Sequence, residues 1–315
     1  MKDFHVYSPV EVITENLREC AERRDAVSEQ TVAHLCELAD ELCATDDLQA
    51  LLSSLPDHRP ATLTAHTPKE HILPVDRFSS PGQSVMLCRV LSRRVFDEKP
   101  FPTAYFFLDP DAEPDAPTGT TNRVIYHKSS YTDEAFLCFS KELGQAQAFY
   151  ANGFPACCEA VYNGEAEYCI LPVESSSEGL LNAFTSLILR YDLKIAASCD
   201  VYSGAAARST RFALLRKRIL PLLKFKNYEC YFECALPQAE PLEIAGILLA
   251  AELCGLRLYR TITLPAFEAS AHVESHFMFR TNDADLHSFL FYLAMETPHY
   301  TPIGYYPHLT QKGAH

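Results

Sequence analysis

The sequence predicts an α/β layer followed by an α+β layer, and the order of its apolar segments supports this fold class. Between residues 123 and 222, short apolar segments alternate with segments of helical spacing, which is typical of an α/β layer with a mixed sheet. Residues 168–173 and 193–201 are almost continuously apolar, as in strands that are buried on both faces. Residues 226–308 show the order strand, helix, strand, strand, helix, strand, which is typical of a ferredoxin-like plait.

An N-terminal region, residues 1–107, precedes both layers, and its role is not indicated by any motif. Its first 55 or so residues carry apolar side chains at helical spacing, so we predict helices there. Residues 84–96 and 103–108 are predicted to be β-rich. Residues 108–122 are rich in proline and acidic residues that cannot form a core, so they are predicted to be a linker.

The spacing of apolar residues also gives approximate limits for the later elements. In the α/β layer, helices are predicted at residues 132–143, 155–163 and 178–190. Its strands are predicted at residues 124–126, 147–150, 168–173, 193–201 and 210–216. In the plait, strands are predicted at residues 228–236, 256–264, 271–280 and 301–306, and helices at residues 242–254 and 284–295.

Composition excludes several classes of function. The formal net charge of −14 disfavours nucleic acid as a partner, because an acidic surface repels phosphate backbones. No apolar run reaches the length of about 18 residues that a membrane span needs, so no membrane partner is expected. The chain has twelve cysteines and no signal-peptide pattern, which predicts a cytoplasmic protein with reduced thiols. The cysteines lack zinc-site spacing, and we expect no metal and no other cofactor.

Three stretches carry a resemblance to a known family. Residues 160–168 form the first, and residues 172–179 (Pro-Val-Glu-Ser-Ser-Ser-Glu-Gly) are similar to the pattern P-[IV]-E-N-S-x-E-G. The third is Thr210-Arg211-Phe212, a T-R-F motif. From about residue 123 onward, the chain thus resembles a prephenate dehydratase with a trailing ACT domain. The resemblance implies one periplasmic-binding-protein-like lobe (residues 123–222), followed by a ferredoxin-like ACT plait (residues 226–308).

The same resemblance implies roles for individual residues. Loss of hydroxide from prephenate needs an acid, and Thr210 would supply it while Arg211 held a carboxylate of the substrate. The other substrate-binding residues that the resemblance implies are Phe212, Glu174, Ser175, Ser176, Ser177 and Ser130. Ser176 and the amides after it would bind an anion at a helix N-terminus. Alternatively, Thr210 is an ordinary β-branched strand residue, and the serines only cap the helix.

One large part of the family pattern is missing. The family inserts a second lobe before the T-R-F strand, but only residues 202–209 separate that strand from the preceding one. Eight residues can close a hairpin and cannot form a lobe, so the cleft loses one wall. We therefore expect a catalytically degenerate protein of L-phenylalanine metabolism that serves ligand binding or regulation. The alternative is an active prephenate dehydratase whose cleft is completed by residues 1–107 or by a second subunit.

The plait also departs from the family at its effector positions. These are Leu242, Glu243, Ile262 and Thr263, and they do not match the family's effector motifs, so we expect weak phenylalanine binding. The expected partners are a small anionic or aromatic ligand and a second copy of the chain, bound through residues 228–306. One predicted strand face carries His272, Glu274 and His276. This row is either a solvated face of the plait or a set of metal ligands.

Overall fold

The computed structural model describes residues 30, 33–40, 81–95, 121–203, 208–219, 228–237, 241–265, 273–282, 284–297 and 299–310. The strand predicted at residues 103–108, most of the linker and the predicted helices before residue 30 lie outside these residues. Residues 33–40 are helical, as the apolar spacing predicts.

Apart from α1 and the short strand β4, the described elements follow the predicted order. The helices are α1 (Pro81–Val95), α2 (Ser130–Leu143), α3 (Phe154–Tyr162), α4 (Asn182–Arg190), α5 (Pro241–Leu253) and α6 (Leu286–Glu296). The strands are β1 (Asn122–His127), β2 (Ala146–Ala151), β3 (Tyr168–Ser175), β4 (Gly179–Leu180), β5 (Lys194–Ser203), β6 (Arg208–Arg216), β7 (Glu229–Pro237), β8 (Arg257–Pro265), β9 (Val273–Arg280) and β10 (Thr301–Leu309). Among the described residues, no helix is long and apolar enough to cross a membrane.

The strands form one continuous sheet rather than two separate ones. Its order is β2-β1-β3-β6-β5-β10-β7-β9-β8, with β4 beside β3. The elements from β7 to β10 follow the predicted order, and β7, β8, β9 and β10 take the strand order of a ferredoxin-like plait. The parallel pair of β5 and β10 joins this plait to the α/β layer.

The predicted hairpin before the T-R-F strand is observed. β5 and β6 pair antiparallel, and Val201 lies opposite Thr210. The pairing continues outward to Ser203 and Arg208, so the chain turns back within a few residues. A second lobe therefore has no place between these two strands.

Gly304 explains how β10 can lie so close to β5. It lies opposite Ile195, and a Cβ at position 304 would meet the Ile195 carbonyl oxygen at 2.7 Å. That contact is with backbone, which cannot rotate away as a side chain can. A glycine is thus required where the plait joins the α/β layer.

We expect Gly304→Ala to lower the free energy of unfolding by about 1–3 kcal/mol, because the added methyl group forces β10 away from β5. Urea denaturation followed by circular dichroism measures this loss. Gly153→Ala is the control, since its methyl group would meet nothing closer than Pro155 Cδ at 3.8 Å. A loss of equal size in both variants would contradict the close-approach argument.

Buried side chains form three clusters around the sheet. One lies between α2 and the strands β1, β3, β6 and β5. The second lies on the opposite sheet face, under α3 and α4, and includes side chains of β7, β9 and β10. The third lies between the plait and its helices α5 and α6, where α1 and residues 33–40 also pack. The described part of the N-terminal region therefore covers the plait helices.

The prediction of strand at residues 84–96 is wrong. Residues 84–95 belong to α1, which begins at Pro81. Val85, Cys88, Leu91 and Ser92 are buried, and these positions follow the helical period of three and four. A short apolar segment does not distinguish strand from helix by itself, and here packing against α5 and α6 decides the outcome.

Candidate functional site

A cluster of ionisable side chains lies on the sheet face that carries α3 and α4. The Arg211 guanidinium donates Nε to Asp200 Oδ1 at 2.9 Å and Nη2 to Asp200 Oδ2 at 3.3 Å. Its Nη1 lies 3.5 Å from Glu174 Oε2. The same Glu174 oxygen lies 2.9 Å from Arg260 Nη1, and His308 Nε2 lies 3.3 Å from Asp200 Oδ2. Two arginines, two carboxylates and one histidine thus form a connected network across β3, β5, β6, β10 and the edge strand β8.

The contact between Glu174 and Arg260 shows that the sheet curls strongly. β3 and β8 are six inter-strand steps apart, which would place them nearly 30 Å apart in a flat sheet at about 4.8 Å per step. One glutamate and one arginine side chain cannot span that distance. The face that carries α3 and α4 is therefore concave, and we call it the concave face.

Three β-bulges place the charged side chains on the concave face. The register shifts between Pro172 and Glu174 in β3, and between Ile195 and Ala197 in β5. It shifts again between Leu258 and Arg260 in β8. Since side chains alternate along a strand, each extra residue moves all later side chains to the other face. Glu174, Asp200 and Arg260 would otherwise lie on the opposite face from Arg211.

The pair of Asp200 and Arg211 is an ion pair at ordinary pH. Burial alone raises the pKa of Asp200, but hydrogen bonds from His308 and Arg211 outweigh it and hold this pKa well below its usual range. The two side chains are 21% and 15% exposed, so water screens their attraction only partly. Arg211 also hydrogen-bonds the Tyr259 hydroxyl. The Arg211 guanidinium is thus occupied by partners from within the chain.

The hydroxyl groups of Ser198 and Tyr306 extend the buried network. Ser198 Oγ and His308 Nδ1 are 2.9 Å apart, and Ser198 is 2% exposed. The Tyr306 hydroxyl donates to Glu233 Oε2 at 2.9 Å. Burial and the Glu233 carboxylate hold the pKa of Tyr306 well above its usual range, so this hydroxyl keeps its proton. Each of these polar groups therefore has a hydrogen-bond partner.

A cavity of about 20 Å³ lies beside this network, beneath α4. Its polar lining consists of Arg211, Arg260, Glu233, Ser198, Tyr306 and Thr185. Its apolar lining is aliphatic, with Val173, Leu180, Ile188, Leu189, Ile195 and Ile303 among its residues. The cavity holds one water molecule, or two at most.

The structure separates the predicted acid, Thr210, from the predicted carboxylate anchor, Arg211. β6 is regular from Arg208 to Arg216, so Thr210 and Arg211 point to opposite faces of the sheet. Thr210 lies on the α2 side together with Phe212, which is 3% exposed and belongs to the core under α2. The predicted substrate contact of Phe212 is therefore a core position.

The predicted serines surround the start of β6, although not as a helix N-terminus. Ser176 and Ser209 exchange two hydrogen bonds of 2.9 Å, from Ser176 N to Ser209 O and from Ser209 N to Ser176 Oγ. Ser175 Oγ and Ser177 Oγ are 2.9 Å apart. The serine hydroxyls thus hold strand ends together.

The predicted helix start at residue 178 is wrong, and so is the anion site at that helix N-terminus. Gly179 takes a positive φ of 74°, and Gly179 and Leu180 pair with β3 as the short strand β4. The helix α4 begins only at Asn182. The Gly179 backbone, which lies in the left-handed region, turns the chain back along β3 before a helix can form.

The remaining predicted positions lie apart from the concave network. Ser130 is the exposed first residue of α2, whose N-cap is Ser129. Among the effector positions, Glu243 lies in the first turn of α5, with Oε1 3.7 Å from His299 Nε2. Ile262 and Thr263 lie in β8, and the backbone of Leu242 lies in α5.

The candidate metal row is partly described. His276 is 2% exposed, and its Nε2 lies 3.4 Å from Glu274 Oε2. His272 lies outside the described residues. Within the described residues, no three histidine, cysteine or acidic side chains come together as a metal site.

The family model of prephenate dehydratase matches residues 127–202. Over this segment, the chain is similar to that family. The predicted resemblance is confirmed there, including the stretch from Glu174 to Ser177. The match ends at Tyr202, before the T-R-F motif and the plait, so it does not extend to Thr210 or to an ACT domain. A search of curated proteins found no match.

Solved structures are similar at low identity. Prephenate dehydratase from Streptococcus mutans is 19% identical, with a TM-score of 0.49, covering 60% of this chain and 99% of that chain. The enzyme from Arthrobacter aurescens, solved with L-Phe, is 15% identical, with a TM-score of 0.47 and coverages of 59% and 90%. GqqA, described as a novel type of quorum quenching acylase, is 16% identical, with a TM-score of 0.45 and coverages of 59% and 94%. At these values, none of them assigns an activity or a ligand to this chain.

Sequence reasoning missed three residues of the network on the concave face. Asp200 and His308 lie on strands that were predicted, but nothing marked them as partners of Arg211. Arg260 lies on the plait, far along the chain from Arg211. An uncommon charged residue inside an apolar strand, such as Asp200 in β5, was the available signal.

Proposed function

We propose that this chain is a prephenate dehydratase-related protein of aromatic amino-acid metabolism. Its proposed role is ligand binding or regulation, and it does not convert prephenate. The observation that carries the proposal is that the Arg211 guanidinium is already paired with two carboxylates of the chain. Asp200 binds its guanidinium through two atoms, and Glu174 contacts the third nitrogen. A substrate carboxylate would have to replace these internal carboxylates.

The positions of the predicted catalytic groups support the same conclusion. Thr210 and Arg211 face opposite sides of the sheet, so the acid and the carboxylate anchor do not meet on one substrate. The cavity beside Arg211 measures about 20 Å³, whereas pockets for organic ligands measure roughly 300–1,000 Å³. Prephenate does not fit beside Arg211 in this conformation.

The wall that closes over Arg211 comes from the plait. Arg260 of β8 and Met278 of β9 line the cavity together with Arg211. The described part of the N-terminal region, α1 and residues 33–40, instead packs on the plait helices. Within the described residues, the missing half of the family cleft is therefore replaced by a charged, closed surface.

We also propose that residues 226–308 are an ACT-like domain and that residues 123–222 are a single dehydratase-like lobe. Homodimerisation through residues 228–306 stays a prediction. Since α1 covers α5 and α6, the exposed edge strand β8 is the favoured route, where Leu258 and Tyr259 are 45% and 39% exposed. Weak phenylalanine binding at the effector positions also stays a prediction.

A direct assay tests the absence of dehydratase activity. We expect purified protein to form phenylpyruvate from prephenate at least about a thousandfold more slowly than a typical enzyme of about 10 per second. If the acid and the carboxylate anchor are misplaced, the substrate is not held in the geometry for reaction. Such orientation lowers the activation barrier by roughly 7–11 kcal/mol in well-oriented systems. Turnover near one per second that Thr210→Ala abolishes would instead support the alternative, an active dehydratase.

A further inference from the structure

Two thiols meet beneath α2, on the sheet face opposite the charged network. Cys138 lies on the inner face of α2 and Cys199 lies on β5, and both belong to the buried cluster between that helix and the sheet. The two thiols hydrogen-bond each other. The helices α3 and α4 and three strands separate them along the chain, so the fold alone brings them together. Asp200, the residue after Cys199, points to the concave face, so the thiol pair lies outside the network there.

The two thiols differ in exposure and in acidity. Cys138 is 7% exposed, the largest fraction among the buried cysteines that the structure describes, whereas Cys199 is 0% exposed. The hydrogen bond from Cys199 lowers the pKa of Cys138; burial opposes this shift, and the nearby Lys141 adds to it. The same hydrogen bond, together with burial, raises the pKa of Cys199, so this thiol keeps its proton. Cys138 is thus the more reactive sulfur, because the thiolate is the nucleophilic form of cysteine.

We propose that Cys138 and Cys199 form a redox site, in which a hydroperoxide oxidises Cys138 and the two sulfurs then join in a reversible disulfide. The Cys138 thiolate attacks one peroxide oxygen and the O–O bond breaks, which leaves a sulfenic acid on Cys138. The other oxygen leaves as water or an alcohol, with the proton that Cys138 released. The Cys199 sulfur then attacks the Cys138 sulfur, the S–O bond breaks, and the hydroxide leaves as water with the Cys199 proton. The peroxide gains two electrons, and two thiols lose them to form one disulfide.

A second pair of thiols in the same chain provides an internal control. Cys158 of α3 and Cys169 of β3 also hydrogen-bond each other, and both are 0% exposed. Burial raises the pKa of the Cys169 thiol well above its usual range. Buried thiols of this kind stay protonated and out of reach of solutes, so we expect no oxidation of this pair.

Oxidation of the purified, reduced full-length chain tests the proposal. The protein is treated with an equimolar amount of hydrogen peroxide, and its remaining thiols are blocked with N-ethylmaleimide. Its disulfides are then mapped by peptide mass spectrometry without reduction. We expect the peptide that contains Cys138 to be linked to the peptide that contains Cys199, and dithiothreitol to release both. This link is expected to form at least about tenfold faster than any link between Cys158 and Cys169.

Two variants separate the roles of the two sulfurs. Cys199→Ser is expected to stop the reaction at the sulfenic acid of Cys138, which dimedone traps and mass spectrometry detects. Cys138→Ser is expected to leave Cys199 unoxidised, because the remaining thiol is buried and protonated. Cys169→Ser is the matched control, and it is expected to leave the link between Cys138 and Cys199 unchanged. Circular dichroism before and after oxidation checks that the fold is kept.

Absence of the link between Cys138 and Cys199 in the oxidised, unchanged protein would overturn the proposal. Equally fast linkage of Cys158 and Cys169 would overturn it as well, because the reactivity would then not depend on exposure. So would equal dimedone labelling of Cys138 in the unchanged protein and in Cys199→Ser, since Cys199 would then not resolve the sulfenic acid. If a serine variant does not fold, the alanine variant replaces it, and the linkage map of the unchanged protein still decides.

Discussion

Replacing Arg211 with methionine is expected to lower the free energy of unfolding by about 3–5 kcal/mol, because it leaves the largely buried Asp200 carboxylate without its main cation. Methionine keeps much of the side-chain volume, so the loss reports on charge rather than on a cavity. Asp200→Asn in the same chain is expected to recover part of the loss, since it removes the unpaired charge. Urea denaturation of both variants and of the double variant gives the coupling energy.

The pH dependence of this loss follows from the direction of the pKa shift. In the unchanged protein, the pKa of Asp200 is lower when folded than when unfolded, so the pair stabilises the fold above the unfolded value of about 3.9. This contribution is lost as the pH falls through the folded value. In Arg211→Met, the hydrogen bonds from Arg211 no longer lower the pKa of Asp200, so this pKa lies above that of the unchanged protein. The difference in stability between the two proteins should therefore shrink as the pH falls from the higher of these two pKa values to the lower.

Arg123→Met is the control for this experiment. Arg123 pairs with Glu167 at 3.5 Å, but the two side chains are 43% and 48% exposed. Exposed pairs contribute roughly 0–1 kcal/mol, so a small effect is expected. A similarly small loss in Arg211→Met would mean that the buried Asp200 carboxylate does not depend on Arg211.

Shortening Leu91 to alanine is expected to cost about 2–5 kcal/mol of unfolding free energy. Leu91 lies on α1, is 0% exposed and belongs to the cluster that α1 shares with α5 and α6. The loss combines apolar area returned to water with a cavity that the neighbouring helices fill only partly. Thermal and urea denaturation measure it.

Leu137→Ala is the matched control for Leu91→Ala. Leu137 also lies on a helix, α2, but is 60% exposed, so its loss is expected to stay within about 0.5 kcal/mol. If the two leucines gave equal losses, α1 would not be part of the plait core. The N-terminal region would then need another role, such as the missing wall of the family cleft.

Apart from the short strand β4, the order of elements from β1 to β10 could be predicted because local patterns decide it. Continuous apolar residues in β3 and β5 indicate strands that are buried on both faces, and helical spacing in α2 indicates a helix with one apolar face. The eight residues before the T-R-F strand leave room only for a hairpin. The segment in α1 was assigned wrongly, because its apolar residues satisfy both periods over a short distance.

The sequence by itself determined the strand that carries Arg211, the hairpin beside it and the loss of a second lobe. Only the tertiary structure decided which side chains meet Arg211. Three single-residue bulges turn Glu174, Asp200 and Arg260 to the concave face, and a shift of one residue inverts the face of every later side chain. The curl of the sheet then brings β8 to β3, because strand twist accumulates along a sheet in a way that no local pattern records.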